Sequence, residues 1–76
     1  MVWLVVDKNN NEFLFGSDRY GIDKPIYDED YWVIEHYDKR AIIEYTYDYG
    51  TQLPKGSIKK LLGRDISFEE SPVKYE

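Results

Sequence analysis

Residues 31–49, YWVIEHYDKRAIIEYTYDY, consist of two arms rich in β-branched and aromatic residues, separated by the polar triplet DKR. Such residues fit the pleated, half-buried surface of a sheet. In the second arm the side chains alternate in type, and successive strand residues point to opposite faces. The stretch therefore predicts an antiparallel hairpin, and we interpret the rest of the chain as packing around it.

The predicted register of this hairpin depends on which faces of the two arms coincide. The polar pattern places Trp32 and Ile43 on one face. Directly opposed residues share a face, so Ile34 is expected opposite Ile43 and Trp32 opposite Tyr45. The loop then has an even number of residues. A four-residue loop over residues 37–40 is preferred to a two-residue loop, because neither Asp nor Lys suits positive φ.

The preceding residues predict further strands. Residues 2–6, VWLVV, are apolar on both faces, which is typical of an inner strand. The asparagine-rich turn after them returns the chain into residues 12–16, EFLFG. Residues 17–30 show no periodicity and predict an irregular connection. The expected fold is mainly β: one domain over residues 1–76, with a small twisted antiparallel sheet of four or five strands or an SH3-like partial barrel.

The remaining residues predict one short helix, a capped turn and an edge strand. Ser57 is a suitable N-cap for a helix over residues 58–62, and Gly63 is suited to end it. Residues 67–70 match the S-x-x-E capping box. Residues 73–75 follow a proline, so a strand there is expected at a sheet edge.

Composition excludes several classes of function. The chain has 76 residues, a net charge of −5 and no cysteine, so neither disulfides nor a structural zinc site is expected. No apolar run is long enough to span a bilayer. An acidic chain is poorly suited to neutralising phosphates, so direct binding to duplex DNA is not expected. We expect a soluble cytoplasmic protein that does not bind a membrane.

The sequence also lacks the usual elements of catalysis and cofactor binding. There is no glycine-rich phosphate loop, and the sole histidine, His36, is expected on the apolar face of the hairpin. The triplet Asp28-Glu29-Asp30 lacks the spaced ligands and the glycine of a calcium loop. We therefore expect no metal, no cofactor and no enzymatic activity, since so short a chain offers little volume for a water-excluding cleft.

The aromatic and acidic side chains predict a surface for protein binding. Eight tyrosines and two tryptophans exceed what so small a core can bury, and both residue types are enriched at protein interfaces. Tyrosine is also simply a good strand residue with a polar tip, so both interpretations stay open. The candidate partner-binding residues are Asp28, Glu29, Asp30, Tyr31, Glu35, Tyr37, Glu44 and Asp48.

Two alternative functions are open. One is a module that binds or sequesters a nucleotide or other small anion at the start of the predicted helix, with an aromatic such as Tyr49 stacking on the ligand. Its candidate residues are Lys55, Ser57, Lys59, Lys60 and Arg64. The other is a structural protein that oligomerises through an edge strand.

Two stretches carry a resemblance. Residues 3–16, WLVVDKNNNEFLFG, and residues 53–76, LPKGSIKKLLGRDISFEESPVKYE, resemble small uncharacterised β-rich proteins encoded by bacteriophages and prophages. The resemblance implies a phage or mobile-element origin and a place in the host bacterial cell. Small acidic phage proteins often act by occluding a host protein. It thus implies an inhibitor of a host protein, such as an anti-CRISPR-like or anti-nuclease factor. The net acidity of the chain suits a partner with a basic surface.

Overall fold

The structure is a computed structural model that describes residues 2–16, 24–38 and 44–75, and their side chains except those of residues 36–38 and 44–48. Within these residues the mainly β class with one short helix is confirmed. The strands form two antiparallel sheets, with the orders β6-β2-β1-β7 and β3-β4-β5, where a single sheet was expected. The elements are β1 (Val2–Val6), β2 (Glu12–Gly16), β3 (Ile26–Asp28), β4 (Tyr31–Asp38), β5 (Glu44–Asp48), β6 (Thr51–Leu53), α1 (Ser57–Leu62) and β7 (Val73–Tyr75).

Two strands were not predicted. β3 lies in the stretch interpreted as an irregular connection, and β6 lies in the break before the helix. Each has three residues, which is too short for an alternating pattern to be recognised. Both are nevertheless edge strands of their sheets, so they raise the number of strands above the four or five expected.

The strand β1 is buried on both faces, as its unbroken apolar run predicts. It pairs with β2 on one side and with β7 on the other, which confirms that it is an inner strand. On one face Leu4 and Val6 pack with Ile58 of α1, and on the other Val5 packs with Trp32 of the second sheet. The molecule therefore has three layers, with the helix and the second sheet on opposite sides of the first sheet.

The asparagine-rich turn predicted between β1 and β2 is confirmed, and the carboxylate of Asp7 holds it. The Oδ1 atom of Asp7 accepts hydrogen bonds from the backbone N–H groups of Asn9 and Asn11, both at 2.8 Å. Asn10 has a φ of 64°, in the left-handed region that asparagine tolerates. The Asp7 side chain and the backbone conformation of Asn10 thus both favour a tight turn between the two strands.

Both backbone groups of Val6 are bound by side chains from distant parts of the chain. The Trp32 indole N–H donates to the Val6 carbonyl oxygen at 2.9 Å, and this bond is buried. The Val6 N–H donates to Ser71 Oγ at 2.9 Å, and the same hydroxyl donates to the Ser67 carbonyl at 2.9 Å. Because unpaired backbone groups are costly to bury, these bonds fix the end of β1 against two neighbouring segments.

The helix α1 receives its N-terminal cap from another element. The Glu12 carboxylate on β2 accepts the N–H of Gly56 at 2.7 Å and the N–H of Ile58 at 2.8 Å. The predicted N-cap at Ser57 is wrong, because the N-cap residue is Gly56 and the Ser57 hydroxyl instead donates to the Pro54 carbonyl. A carboxylate next to the free helical amides is the stronger acceptor, since it is charged.

The end of the helix and the turn after it agree with the sequence. Gly63 ends α1 with a φ of 78° and donates its N–H to the Lys59 carbonyl. Ser67 and Glu70 exchange the reciprocal bonds of a capping box, although only a turn forms. The Glu70 carboxylate also accepts a bond from Arg64 at 2.9 Å. That bond, together with the Ser67 N–H, lowers the pKa of Glu70 below its ordinary value.

The predicted register of the central hairpin is wrong. Ile34 pairs with Asp48 and Tyr37 with Tyr45, so Trp32 and Tyr45 hold positions on opposite faces of the sheet. The four-residue loop is also wrong, because β4 continues to Asp38 and β5 begins at Glu44. Residues 39–43, which include the predicted partners Ala41 and Ile43, lie outside the described residues.

The error has a physical cause in the burial of β4. Trp32, Val33 and Ile34 are 8%, 2% and 5% exposed, so adjacent positions on both faces are covered. The prediction assumed that one face of the hairpin is exposed to water, so the positions of the polar residues were used to infer the register. In a strand buried on both faces the polar pattern does not indicate the register, because packing on the neighbouring sheet sets it.

We expect Glu12→Ala to destabilise the fold by about 1–3 kcal/mol, because it leaves two amides at the start of α1 without their charged acceptor. Glu12→Gln should cost less, since one amide oxygen remains. The free energy of unfolding from urea titration measures both. Glu69→Ala is the matched control, because Glu69 is exposed. Equal losses at positions 12 and 69 would contradict this role.

Gly50→Ala should destabilise the fold by about 2–4 kcal/mol, because an added Cβ would lie 2.8 Å from the buried Phe15 ring and φ is +71°. Gly63→Ala is the control. Its φ of +78° carries similar backbone strain, but a Cβ there would contact nothing within 4 Å, so about 1 kcal/mol is expected. Thermal unfolding compares the two, and equal effects would show that the contact with Phe15 is unimportant.

Candidate functional site

The turn between β3 and β4 presents four of the predicted partner-binding residues together. Asp28 and Tyr31 are paired across the hairpin, with Glu29 and Asp30 at its tip. All four are exposed, and Glu29 has a left-handed φ of 58°. The structure therefore gathers this half of the predicted set into one acidic turn.

The other four predicted residues are spread along β4 and β5. Glu35 is exposed on β4. Tyr37, Glu44 and Asp48 belong to the two strands, but their side chains lie outside the description. The observed pairing puts Asp48 opposite Ile34, so its backbone position is on the face opposite to that of Glu35. The eight residues thus do not occupy a single face of the sheet.

An exposed pair of tyrosines stands beside the acidic turn. Tyr31 and Tyr49 meet edge to face, with ring centroids 6.1 Å apart and an interplanar angle of 88°. They are 63% and 58% exposed, respectively. From the sequence, Tyr49 was predicted only as a stacking residue for an anion. The structure instead places it against Tyr31, within the acidic region.

A cleft of about 440 Å³ opens beside this tyrosine pair. Phe13 and Gln52 of the first sheet form one wall, and Trp32 of the second sheet forms another. A smaller hollow of about 260 Å³ shares the same two tyrosines and is lined by Asp28 and Glu29. The tyrosine pair therefore borders two hollows, each with carboxylates. The residues lining the larger cleft are Asp7, Phe13, Asp30, Tyr31, Trp32, Tyr49, Gly50 and Gln52.

Three aromatic rings pack against one another at the base of this region. The Tyr27 ring lies edge to face against Trp32 at 5.2 Å and against Phe68 at 4.7 Å. Trp32 also contacts Phe68, with centroids 5.8 Å apart. Such pairs add stability beyond the area they bury, and here they join the second sheet to the segment before β7.

Nearby carboxylates affect the ionisation of Tyr27, which lies beside the cleft. Burial raises the pKa of the Tyr27 hydroxyl, and the carboxylates of Asp30 and Asp7 raise it further, against a hydrogen bond with the Lys8 backbone. The Lys8 ammonium lies 5.2 Å from the Tyr27 ring centroid and 5.8 Å from that of Phe68. A cation is therefore already held on an aromatic face next to the cleft.

The residues of the anion-binding alternative are differently placed. Lys55, Lys59 and Lys60 are exposed, and Arg64 is paired with Glu70. Glu12 already occupies two amides at the start of the helix, and Ser57 donates to a backbone carbonyl. The two lysines of the last helical turn suit the negative end of the helix dipole. These contacts count against an anion site at the start of α1.

Several cleft residues were not predicted to belong to a site. Asp7 was interpreted only as the end of the first strand, and Phe13 and Trp32 only as core residues. Their shared position depends on how the second sheet lies over the first, which no local pattern shows.

Within the described part of the chain, no group of three or more His, Asp or Glu side chains is arranged to hold a metal ion. In the same residues, no helix is long and apolar enough to cross a bilayer. The chain matches no protein-family model, and comparisons with curated proteins and with solved structures found no significant similarity.

We expect Tyr27 to ionise above about pH 10, the ordinary value for tyrosine. Because the pKa is raised in the folded state, its stabilising contribution is complete below that pH and is lost as pH rises through the folded pKa. Asp30→Asn should lower the pKa of Tyr27, since it removes a nearby negative charge. NMR titration of ¹³Cζ-labelled tyrosine, assigned with Tyr27→Phe, measures the shift, and Glu69→Gln is the charge-matched control. An unchanged midpoint in Asp30→Asn would contradict this electrostatic coupling.

Proposed function

We propose that this chain is a non-enzymatic, phage-type interaction protein that binds a host protein through a basic surface and inhibits it. The docking surface is the acidic turn of residues 28–31 together with Tyr49. Inhibition follows from occlusion, in the manner of an anti-defence factor that covers a nuclease or its nucleic-acid-binding surface. The site of action is the cytoplasm of the host bacterial cell.

The observation that carries this proposal is the exposure of the Tyr31–Tyr49 pair. Each ring leaves more than half of its surface in water, although the two are ordered edge to face. Tyrosine rings bury a large area at a low cost in side-chain entropy, and tyrosines are enriched among the residues that dominate binding energy. Contact between aromatic side chains of neighbouring strands also occurs in ordinary sheets, so the exposure of the two rings supports the proposal more than their contact does.

The charge around the pair supports a basic partner. Asp28, Glu29 and Asp30 are exposed beside the rings, and Asp7 lines the neighbouring cleft. Carboxylates at the margin of an interface accelerate association with a positive surface and disfavour acidic competitors. A nucleic-acid-binding protein offers such a surface. The inhibitory direction and the phage origin rest on the resemblance carried by residues 3–16 and 53–76.

The test is capture from bacterial lysate by the immobilised chain, after nuclease treatment to remove bridging nucleic acid. Reversing the turn charge with Asp28→Lys and Asp30→Lys should reduce capture of the partner by about tenfold or more, as should Tyr31→Ser with Tyr49→Ser. Lys59→Glu with Lys60→Glu is the matched control and should leave capture unchanged. Quantitative mass spectrometry measures the bound protein, and thermal unfolding confirms that each variant folds.

The salt dependence of binding gives a second measurement. Affinity of the purified partner should fall as salt rises, and the charge-reversed turn should remove most of that dependence. Loss of capture in the lysine variants alone would instead favour the anion-binding alternative. Capture that is unaffected by both the tyrosine and the aspartate variants would refute the proposed docking surface.

A further inference from the structure

We propose that the cleft between the two sheets receives the guanidinium group of an arginine side chain from the partner. This inference rests on the proposed function and specifies the chemistry of its central contact. The arginine would lie among the rings of Phe13, Tyr31, Trp32 and Tyr49, with its N–H groups directed to the carboxylate of Asp30.

The shape and lining of the cleft favour a flat, amphipathic cation. Its volume of about 440 Å³ accommodates one long side chain together with water, and aromatic rings dominate its walls. The Trp32 indole N–H is already bound to the Val6 carbonyl, so this side chain offers the cleft only its ring surface. Guanidinium stacks on aromatic faces and is more weakly hydrated than ammonium, so it loses less on entering such a site.

The carboxylates at the mouth of the cleft have capacity for new donors. Within the described residues, the exposed carboxylate of Asp30 accepts no hydrogen bond and forms no ion pair, and it lines the cleft together with four aromatic residues. Asp7 uses Oδ1 to hold its own turn, while Oδ2 accepts only a 3.3 Å bond from the Asn11 side chain. A planar group with five N–H donors can engage Asp30 while its face rests on a ring.

The chain itself contains a smaller version of the same contact. Lys8 holds its ammonium over Tyr27 and Phe68 and lines a hollow of about 400 Å³ that adjoins the cleft and shares Asp30 and Tyr31 with it. None of the described residues lining the cleft itself carries a positive charge. The rings of Tyr27 and Phe68 thus have an intramolecular cation, and the Tyr31–Tyr49 pair is left for an external one.

The probe is N-acetyl-arginine methylamide, titrated into the ¹⁵N-labelled chain and followed by NMR. The citrulline analogue has nearly the same shape without charge, and the lysine analogue has the charge without the planar group. Arginine should shift the resonances of Asp30, Tyr49, Gly50 and the Trp32 indole in a saturable way. It should bind about tenfold more tightly than citrulline, and lysine should fall between them.

Two variants test the assigned contacts. Asp30→Asn and Tyr49→Ala should each weaken arginine binding by about fivefold or more, since each removes one side of the contact. Tyr49→Phe keeps the ring and should bind as the parent chain does. Lys59→Gln is the control for a change of charge outside the cleft. The three positions are exposed, so folding should be preserved in all four variants, and thermal unfolding verifies it.

Failure of this inference can be separated from failure of the proposed function. Equal binding of arginine and citrulline, or shifts confined to residues outside the cleft, would overturn the arginine assignment. If partner capture still required Tyr31 and the acidic turn, the proposed function would stand with a different central contact. Saturable arginine binding that depends on Asp30 and Tyr49 supports the assignment whether or not a partner has been captured.

Discussion

The position of the second sheet on the first depends on the buried hydrogen bond from the Trp32 indole to the Val6 carbonyl oxygen. The bond joins the start of β4 to the end of β1, next to the turn held by Asp7. Around it, Trp32 packs with Val5 and Phe15 of the first sheet. Breaking this buried bond would leave a donor and an acceptor unpaired, which is costly in free energy. The bond therefore opposes sliding of the second sheet over the first. The cleft is a consequence, because its walls belong to the two sheets that this bond aligns.

The strand β1 separates two kinds of interior. One face of β1 packs on the helix and on Ile66, in the segment after the helix. The other face packs on the aromatic cluster of the second sheet. The charges are divided in the same way. The Glu12 carboxylate accepts hydrogen bonds from the amides at the start of the helix, so it is not part of the acidic region. The basic residues of α1 and the acidic turn thus belong to different layers. A small chain with net charge −5 can in this way offer one concentrated negative region.

Much of the fold follows from local chemistry, and much of the site does not. Four features have a signal within a few residues and were predicted: the inner strand, the asparagine-rich turn after it, the helix end at Gly63 and the edge strand β7. The β4–β5 register failed because Val33 is buried as deeply as its neighbours, so polarity did not separate the faces. The acidic turn was predicted from its consecutive carboxylates, Asp28-Glu29-Asp30. Tyr49 and Phe13 were not assigned to the site, because they meet it only through the packing of two sheets.

The bonds that hold the layers together link residues far apart in sequence. Trp32 reaches Val6, Glu12 reaches Ile58, and Ser71 reaches back to Val6 across 65 positions. Contacts of such long range slow folding, because a large loop must close before they contribute. During synthesis the ribosome releases β1 long before β7, its neighbour in the first sheet. The nascent chain therefore carries the apolar strand β1 paired on one edge only, with β2, until β7 has emerged.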